Sequence, residues 1–269
     1  MSLRAIPDSM DPTVVGEIDA ELDRICREDR VSIRLAVESG SRAWGFPSPD
    51  SDYDCRFVYV AELDRYLSPW AARDVIETPL TALLDVNGWD LAKALRLLVN
   101  GNAALIEWLM SPIVYRGDTA FREQLRALAD EVADRDRIAR HYLHLGERHW
   151  RLFDGTGSLK KVFYSLRPAM ALRWLREHPG AAIAPMHLPT LSAQCELPAD
   201  LVAAVGELTE LKSRTREMGS GPAPVAIARF IDEEFARAVE EFPSTRGRER
   251  DAAKLEAAEF FRAQALAVG

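Results

Sequence analysis

Two aspartates separated by a single residue, Asp52 and Asp54, are well suited to metal chemistry. They open the segment 52–60, whose alternating pattern predicts a β-strand. Because side chains alternate between the faces of a strand, both carboxylates are predicted to project to one side, with Arg56 just beyond them. Two carboxylates this close repel each other unless a cation lies between them, and hard oxygen ligands suit Mg²⁺ or Mn²⁺. The pair therefore predicts a divalent-metal site.

The dipeptide Gly40-Ser41 indicates a second kind of ligand. It follows the apolar, β-branched run 31–37, which predicts a strand, and a loop over 42–51 separates this strand from the next one. A glycine lets backbone N–H groups approach a phosphate, and a serine hydroxyl adds a donor. We therefore expect Gly40, Ser41 and the adjacent Arg42 to bind phosphates beside the metal site.

The elements that position these residues lie in the first half of the chain. Asp11 and Pro12 predict the start of a helix, since apolar residues follow at helical spacing. The run 81–86 predicts a further strand, and Asp90 predicts the N-cap of the next helix. Lys93 lies on that helix, either at its surface or within reach of a triphosphate. The alternation of strands and helices predicts a mixed α+β fold for this half.

Beyond residue 117 the strand patterns give way to helical ones. Segments rich in Ala, Leu, Arg and Glu carry apolar residues at helical spacing, and stretches rich in glycine and proline separate them. The predicted helices occupy residues 119–152, 158–178, 198–217, 224–242 and 247–266. The sequence thus predicts two domains, a mixed domain over 1–117 and an all-helical domain over 118–269.

Composition excludes several classes of function. The 269 residues carry a net charge of −8 and three cysteines without paired spacing, which argues against nucleic-acid binding through overall charge and against a disulfide framework or zinc cluster. No apolar run approaches the roughly 18 residues that a membrane span requires. The sequence also lacks a P-loop and a dinucleotide-binding glycine motif. We expect a cytoplasmic protein with no membrane partner.

One stretch is basic, although the chain as a whole has a negative net charge. From Arg135 to Arg176 the chain has ten basic and three acidic residues, with aromatic residues between them. This pattern is typical of surfaces that bind phosphates and stack on bases, and it also occurs where a solvated helix face covers aromatic core residues. The candidate substrate-binding residues in this stretch are Lys160, Lys161, Tyr164 and Arg167.

The succession of an apolar strand, Gly-Ser, a loop and a strand opening with Asp-x-Asp resembles the signature of the DNA polymerase β nucleotidyltransferase superfamily. Segments 85–95 and 102–115 look like the RNA-repair-pathway branch of that superfamily, and 160–168 resembles its helical region. In the last segment Val162 follows the lysine pair, where the branch pattern is expected to have an aromatic residue. The resemblance covers most of the chain to about residue 180. It implies a polymerase-β-like domain with a short mixed sheet, followed by helices.

The resemblance also implies a third carboxylate from a later strand, which would complete a site for two Mg²⁺ or Mn²⁺ ions. Asp85 is our candidate, since it lies in a predicted strand. Glu77 is the alternative, whereas Asp90 is better placed for an N-cap. Asp52, Asp54 and Asp85 would then be the catalytic residues and metal ligands.

The implied reaction transfers a nucleoside monophosphate from an NTP to a hydroxyl and releases pyrophosphate. Asp85 would orient or deprotonate the acceptor, while Gly40 and Ser41 hold the β- and γ-phosphates, with Arg42 and Lys93 as further nucleotide ligands. Three kinds of acceptor are compatible with this reaction: RNA in a repair pathway, a protein side chain and a small molecule. The last two would make the protein an antitoxin-like adenylyltransferase. The non-catalytic alternative is a sensor of nucleotides or RNA. The intact Asp-x-Asp motif argues against this alternative.

Overall fold

The strand-forming patterns of the first half assemble into one mixed sheet in the computed structural model, which describes residues 2–81, 83–216, 218–242 and 250–268. The described strands are β1 (Ser2–Ala5), β2 (Val31–Ser39), β3 (Tyr53–Ala61), β4 (Val75–Glu77), β5 (Leu84–Asp90) and β6 (Val114–Asp118). They lie in the order β1-β6-β2-β3-β5-β4. β3 and β5 are parallel, whereas the other neighbouring strands are antiparallel. The predicted α+β class is confirmed.

Helices lie between these strands along the chain. They are α1 (Pro12–Glu28), α2 (Gly40–Trp44), α3 (Leu63–Leu67), α4 (Leu91–Val99) and α5 (Ala104–Met110). Both predicted helix starts are confirmed, because Asp11 accepts a hydrogen bond from the Thr13 N–H and Asp90 accepts one from the Ala92 N–H, each at 2.8 Å. The prediction of a loop from residue 42 was wrong for its first part, which belongs to α2. This helix ends at Gly45, whose φ of +88° a glycine adopts readily.

Strand β3 separates the two faces of the sheet. The side chains that alternate on one face pack against α1, as the strand periodicity predicts; they are Tyr53, Cys55, Phe57 and Tyr59. Val58 and Val60 lie on the opposite face, within the hydrophobic core that includes the later helices. Asp54 and Arg56 continue this second face towards the start of the strand. The carboxylate of Asp54 therefore faces the helical half of the molecule.

The second half is helical over the residues that the structure describes. Its helices are α6 (Thr119–Val132), α7 (Arg135–Thr156), α8 (Leu159–Glu177), α9 (Leu188–Gln194), α10 (Ala199–Arg214), α11 (Val225–Glu241) and α12 (Asp251–Leu266). The single helix predicted over 119–152 is two helices, since Asp134 caps the second one by accepting from the Arg137 N–H. The stretch between the predicted helices 158–178 and 198–217 contains a further helix, α9. Residues 217 and 247–249 of two predicted helices lie outside the described residues.

Apolar contacts join the two halves. One hydrophobic cluster includes residues of the sheet, of α4 and α5, and of the helices from α6 to α12. The rings of Phe46 and Phe163 stack within it, with centroids 4.6 Å apart. The helical half therefore packs directly on the segment that links β2 to β3. Within the described ranges, none of the helices combines the length and apolar character needed to cross a membrane.

Candidate active site

Asp54 and Asp85 are direct neighbours, because they occupy paired positions on the parallel strands β3 and β5. One side chain lies against both: Arg56 Nη2 donates to Asp54 Oδ1 at 3.2 Å and to Asp85 Oδ2 at 2.6 Å. The pKa of Asp54 is raised above its usual value, mainly by burial. The charge of Arg56 lowers this pKa, whereas the charges of Asp85 and Asp52 raise it. The three predicted carboxylates thus lie near enough to affect one another, and one arginine partly offsets their repulsion.

The other two candidates for the third carboxylate lie elsewhere. Glu77 forms an ion pair with Arg73 at the surface. Asp90 caps α4 and accepts a hydrogen bond from the Tyr66 hydroxyl at 2.8 Å. The structure therefore brings Asp85, rather than Glu77 or Asp90, beside Asp54.

Gly40 lies against the Asp54 carboxylate. Its φ is +69°, and a Cβ added to it would be 2.0 Å from Asp54 Oδ2. Both observations require a glycine here, since an L side chain rarely adopts this conformation and would displace the carboxylate. The hydroxyl of the next residue, Ser41, donates to Ser51 Oγ at 2.9 Å. The Gly-Ser pair predicted to bind phosphates therefore adjoins the acidic residues.

We expect Gly40→Ala to move the Asp54 carboxylate and to reduce the rate of a reaction at this site by roughly 100-fold or more, because displacements of about 1 Å at a reacting centre have effects of this size. Initial rates measure the effect. Gly155→Ala is the matched control, since nothing lies within 4 Å of its added Cβ. Equal rates in the two variants would show that the close approach of Gly40 to Asp54 has no catalytic importance.

A cleft of about 340 Å³ opens in front of Asp52 and Asp54, and Asp85 does not line it. One wall is acidic and rich in hydroxyls; it includes Ser41, Ser48, Asp50, Ser51, Asp52 and Asp54. The opposite wall comes from the helical half and is basic; it includes Ser158, Lys160, Tyr164, Lys212 and Arg216. The cleft can therefore hold a ligand that carries negative charge and also needs a cation.

Lys212 of α10 is a cleft residue that the sequence analysis missed. Its side chain is buried, and its Nζ lies 4.6 Å and 5.2 Å from the ring centroids of Phe46 and Phe163. Burial, together with the nearby charge of Lys160, lowers its pKa to about 8. Its position four residues after the buried Leu208 was a signal, since this spacing places a cation on the apolar face of a helix.

Glu38 is a second residue that sequence analysis missed. It is completely buried in β2, directly behind Asp54. Its Oε1 accepts a hydrogen bond from the Asp54 N–H at 2.9 Å, and its Oε2 accepts one from the Tyr115 hydroxyl. Burial raises the pKa of Glu38 to about 8. This carboxyl group fixes the backbone from which the Asp54 side chain projects. The signal in the sequence was an acidic residue directly after the apolar run Leu35-Ala36-Val37 of this strand.

Of the predicted substrate-binding residues, Lys160 and Tyr164 line the cleft. Lys161 lies against the Tyr164 ring, with its Nζ 5.5 Å from the centroid, but does not line the cleft. Arg167 is also absent from the lining. It is only 3% exposed, forms a 2.7 Å ion pair with Glu107 and lies over the Trp44 ring. The structure thus brings two of the four predicted residues into the cleft.

The predicted nucleotide ligands Arg42 and Lys93 also have protein partners. Arg42 donates to the backbone oxygens of Ser51 and Asp52 at 2.6 and 3.1 Å, which holds the loop before β3. Lys93 pairs with Asp74 at 3.2 Å and does not line the cleft. These contacts explain why the structure does not place either cation in the cleft.

Much of the predicted basic surface is internal. Arg173 and Arg176 both form ion pairs with Glu234, at 2.6 and 3.0 Å, and that carboxylate is buried. Burial lowers the pKa of His149, whose ring packs against Tyr164. The charge excess between Arg135 and Arg176 therefore partly reflects ion pairs between helices.

The oxygen donors of Asp52 and Asp54 fit a hard divalent ion, and both residues line the cleft. The carboxylate of Asp52 forms no ion pair within the described ranges. In that same part of the chain, no group of three or more His, Cys, Asp or Glu residues is arranged to hold a metal ion. Asp85 is instead engaged by Arg56 and by the Asn87 amide. The donors that face the cleft are therefore the two aspartates of the Asp-x-Asp pair.

Comparison with known proteins supports the resemblance noted in the sequence. The model of the family described as "RlaP: RNA repair pathway DNA polymerase beta family" matches residues 15–262. The protein named "Uncharacterized protein YcgL" of Bacillus subtilis (strain 168) is 40% identical over 233 residues, which cover 86% of this chain and 89% of the relative. The match to the family model includes every residue that lines the cleft.

Proposed function

Because the chain belongs to the RNA repair pathway DNA polymerase beta family, we propose that it transfers a nucleoside monophosphate from an NTP to a hydroxyl acceptor with the help of Mg²⁺ or Mn²⁺. The observation that carries this proposal is the cleft with carboxylates on one wall and cations on the other. Nucleotidyl transfer needs both, since catalysis at phosphorus depends mainly on positioning and on neutralising developing charge.

The acidic wall would hold the divalent ion through Asp52 and Asp54. When bound, such an ion neutralises phosphate charge and lowers the pKa of an oxygen nucleophile. Asp85 would contribute to a second ion, or orient the acceptor hydroxyl, only after release from Arg56, because both of its oxygens now accept hydrogen bonds from protein groups.

The basic wall would hold the polyphosphate. Lys160, Lys212 and Arg216 supply positive charge, and hydroxyl groups of both walls supply further donors. Lys212 is held on two aromatic rings, so little rotamer entropy is lost when it meets an anion. The leaving pyrophosphate would depart along this wall.

We propose RNA as the acceptor. Burial lowers the pKa of His149, and the nearby charges of Lys161 and of the exposed Arg148 lower it as well, so basic residues continue beyond Lys160 of the cleft. Tyr164 supplies an aromatic ring in the cleft lining. A polymer can use such an extended surface, whereas a small acceptor needs only the cleft. RNA binding through these residues would weaken steeply with added salt as counterions are released.

The test is incubation with each labelled NTP, Mg²⁺ or Mn²⁺, and separate pools of RNA, protein and small-molecule acceptors. We expect label in RNA, together with release of pyrophosphate. Label in proteins or small molecules would overturn the RNA acceptor and support the antitoxin-like alternative. Absence of transfer from every NTP to every pool, with NTP binding retained, would support a nucleotide sensor instead.

The affinity for an NTP is expected to fall as pH rises through about 8, because Lys212 loses its charge there. The decline is at most about tenfold per pH unit, as for the loss of one proton. Titration calorimetry between pH 7 and 9.5 measures it. Lys212→Arg should flatten the profile, since a guanidinium stays charged, while Lys93→Arg is the control outside the cleft. Identical profiles in both variants would contradict the role of Lys212.

A further inference from the structure

Arg56 connects the two strands that carry Asp54 and Asp85. Its Nη1 donates to the backbone oxygens of Cys55 and Asp85, at 3.0 and 2.7 Å. Its Nη2 donates to the carboxylates of Asp54 and Asp85, at 3.2 and 2.6 Å. Four acceptors therefore fix the plane of this guanidinium, and the side chain is only 19% exposed.

The position of this guanidinium has an electrostatic consequence. Asp54 and Asp85 would repel each other on adjacent strands, and the positive charge held against both offsets that repulsion. A divalent ion held by the same two carboxylates would compete with the guanidinium for their negative charge. Two cations cannot both occupy this position, because their mutual repulsion in a partly buried site is large.

We propose that Arg56 is a built-in counter-cation that competes with a divalent ion for Asp54 and Asp85. In the nucleotide-free protein one ion would bind on the side of Asp52, whose carboxylate has no ion-pair partner in the described ranges. A second ion would enter only as Arg56 withdraws from Asp54 and Asp85. The inference rests on the proposed function, since it takes Asp52 and Asp54 as ion ligands.

Binding of Mn²⁺ to the full chain, followed by the electron paramagnetic resonance signal of the free ion, tests this competition without requiring activity. We expect the wild type to bind one ion. Arg56→Met should bind a second ion or bind the first about tenfold more tightly or better, because a competing charge within a few ångströms is removed. Lys160→Met is the charge-matched control, since Lys160 acts on Asp54 through space and forms no hydrogen bond with it. It should show a smaller change and no second ion.

A charge-balanced pair keeps the test valid if Arg56→Met does not fold. Arg56→Met combined with Asp85→Asn removes one charge of each sign, so that Asp54 is the only one of the two acids left charged without Arg56. This double variant should bind Mn²⁺ about tenfold more tightly than Asp85→Asn alone, in which Arg56 still occupies Asp54. Equal affinities would overturn the competition.

The outcomes separate this inference from the proposed function. If the wild type binds Mn²⁺ and Asp52→Asn does not, but removal of Arg56 changes neither stoichiometry nor affinity, only the competition is refuted. If neither the wild type nor Asp52→Asn binds Mn²⁺, with or without an NTP, the metal role of the carboxylates is refuted. This inference is then refuted as well.

Discussion

We expect Asp54→Asn to abolish the proposed nucleotidyl transfer, with a loss of at least about 10³-fold in kcat, if the acidic wall holds the divalent ion. The amide has no negative charge, so it binds Mg²⁺ far more weakly than a carboxylate. Asp54 faces the cleft from β3 and carries the contact with Arg56, so its charge is central to the site. Initial rates with saturating NTP and metal measure the effect.

The same substitution should leave the fold intact or make it more stable. Burial and the charges of Asp85 and Asp52 raise the pKa of Asp54 above its unfolded value. A carboxyl group with a raised pKa opposes folding as pH rises above its unfolded pKa, and the penalty is complete above its folded pKa, because the charged form is favoured in the unfolded chain. At pH 7 the neutral amide removes this penalty, so the melting temperature should not fall.

A nearby carboxylate provides the control. Asp50 lines the same cleft but precedes β3 and is not paired with Asp85 across the strands. Asp50→Asn should retain at least about a tenth of the wild-type rate, since it removes charge without removing a proposed ligand. Comparable activity in the Asp50 and Asp54 variants would contradict the assignment of Asp54.

Local periodicity predicted the elements that carry the acidic wall. The alternation in β3 was enough to place Asp54 and Arg56 on one face and Cys55 on the other, because that pattern depends only on neighbouring residues. The pairing of Asp54 with Asp85 depends on the register between two strands whose paired residues are 31 positions apart in sequence, which periodicity does not encode. Family resemblance, rather than the pattern of the strand, suggested Asp85.

The basic wall was harder to predict, since burial and partners are set by tertiary packing. Lys212 and Glu38 are ionisable residues that are buried among apolar ones, and composition does not indicate which ionisable residues will be buried. Arg167 was predicted to bind substrate, but it is buried. The sequence shows it among lysines and aromatic residues, whereas the fold gives it a buried partner, Glu107, at a distance of 60 residues along the chain.

Arg167→Met is expected to lower the free energy of unfolding by about 3–5 kcal/mol, because it leaves the Glu107 carboxylate buried without its partner. For a protein of this size that loss corresponds to a decrease in melting temperature of roughly 10 °C. Arg167 also lies 4.3 Å from the centre of the Trp44 ring in α2. Its removal should therefore loosen the helix that presents Gly40 and Ser41. Thermal and urea unfolding measure the effect.

Two further variants separate a structural role from RNA binding. Arg167→Met combined with Glu107→Gln should recover much of the lost stability, since no unpaired buried charge remains. Arg148→Met, at an exposed position of α7, should leave stability within about 0.5 kcal/mol and weaken RNA binding at low salt. If Arg167→Met instead melts like the wild type but no longer binds RNA, its predicted role in substrate binding stands, and the ion pair with Glu107 is dispensable for folding.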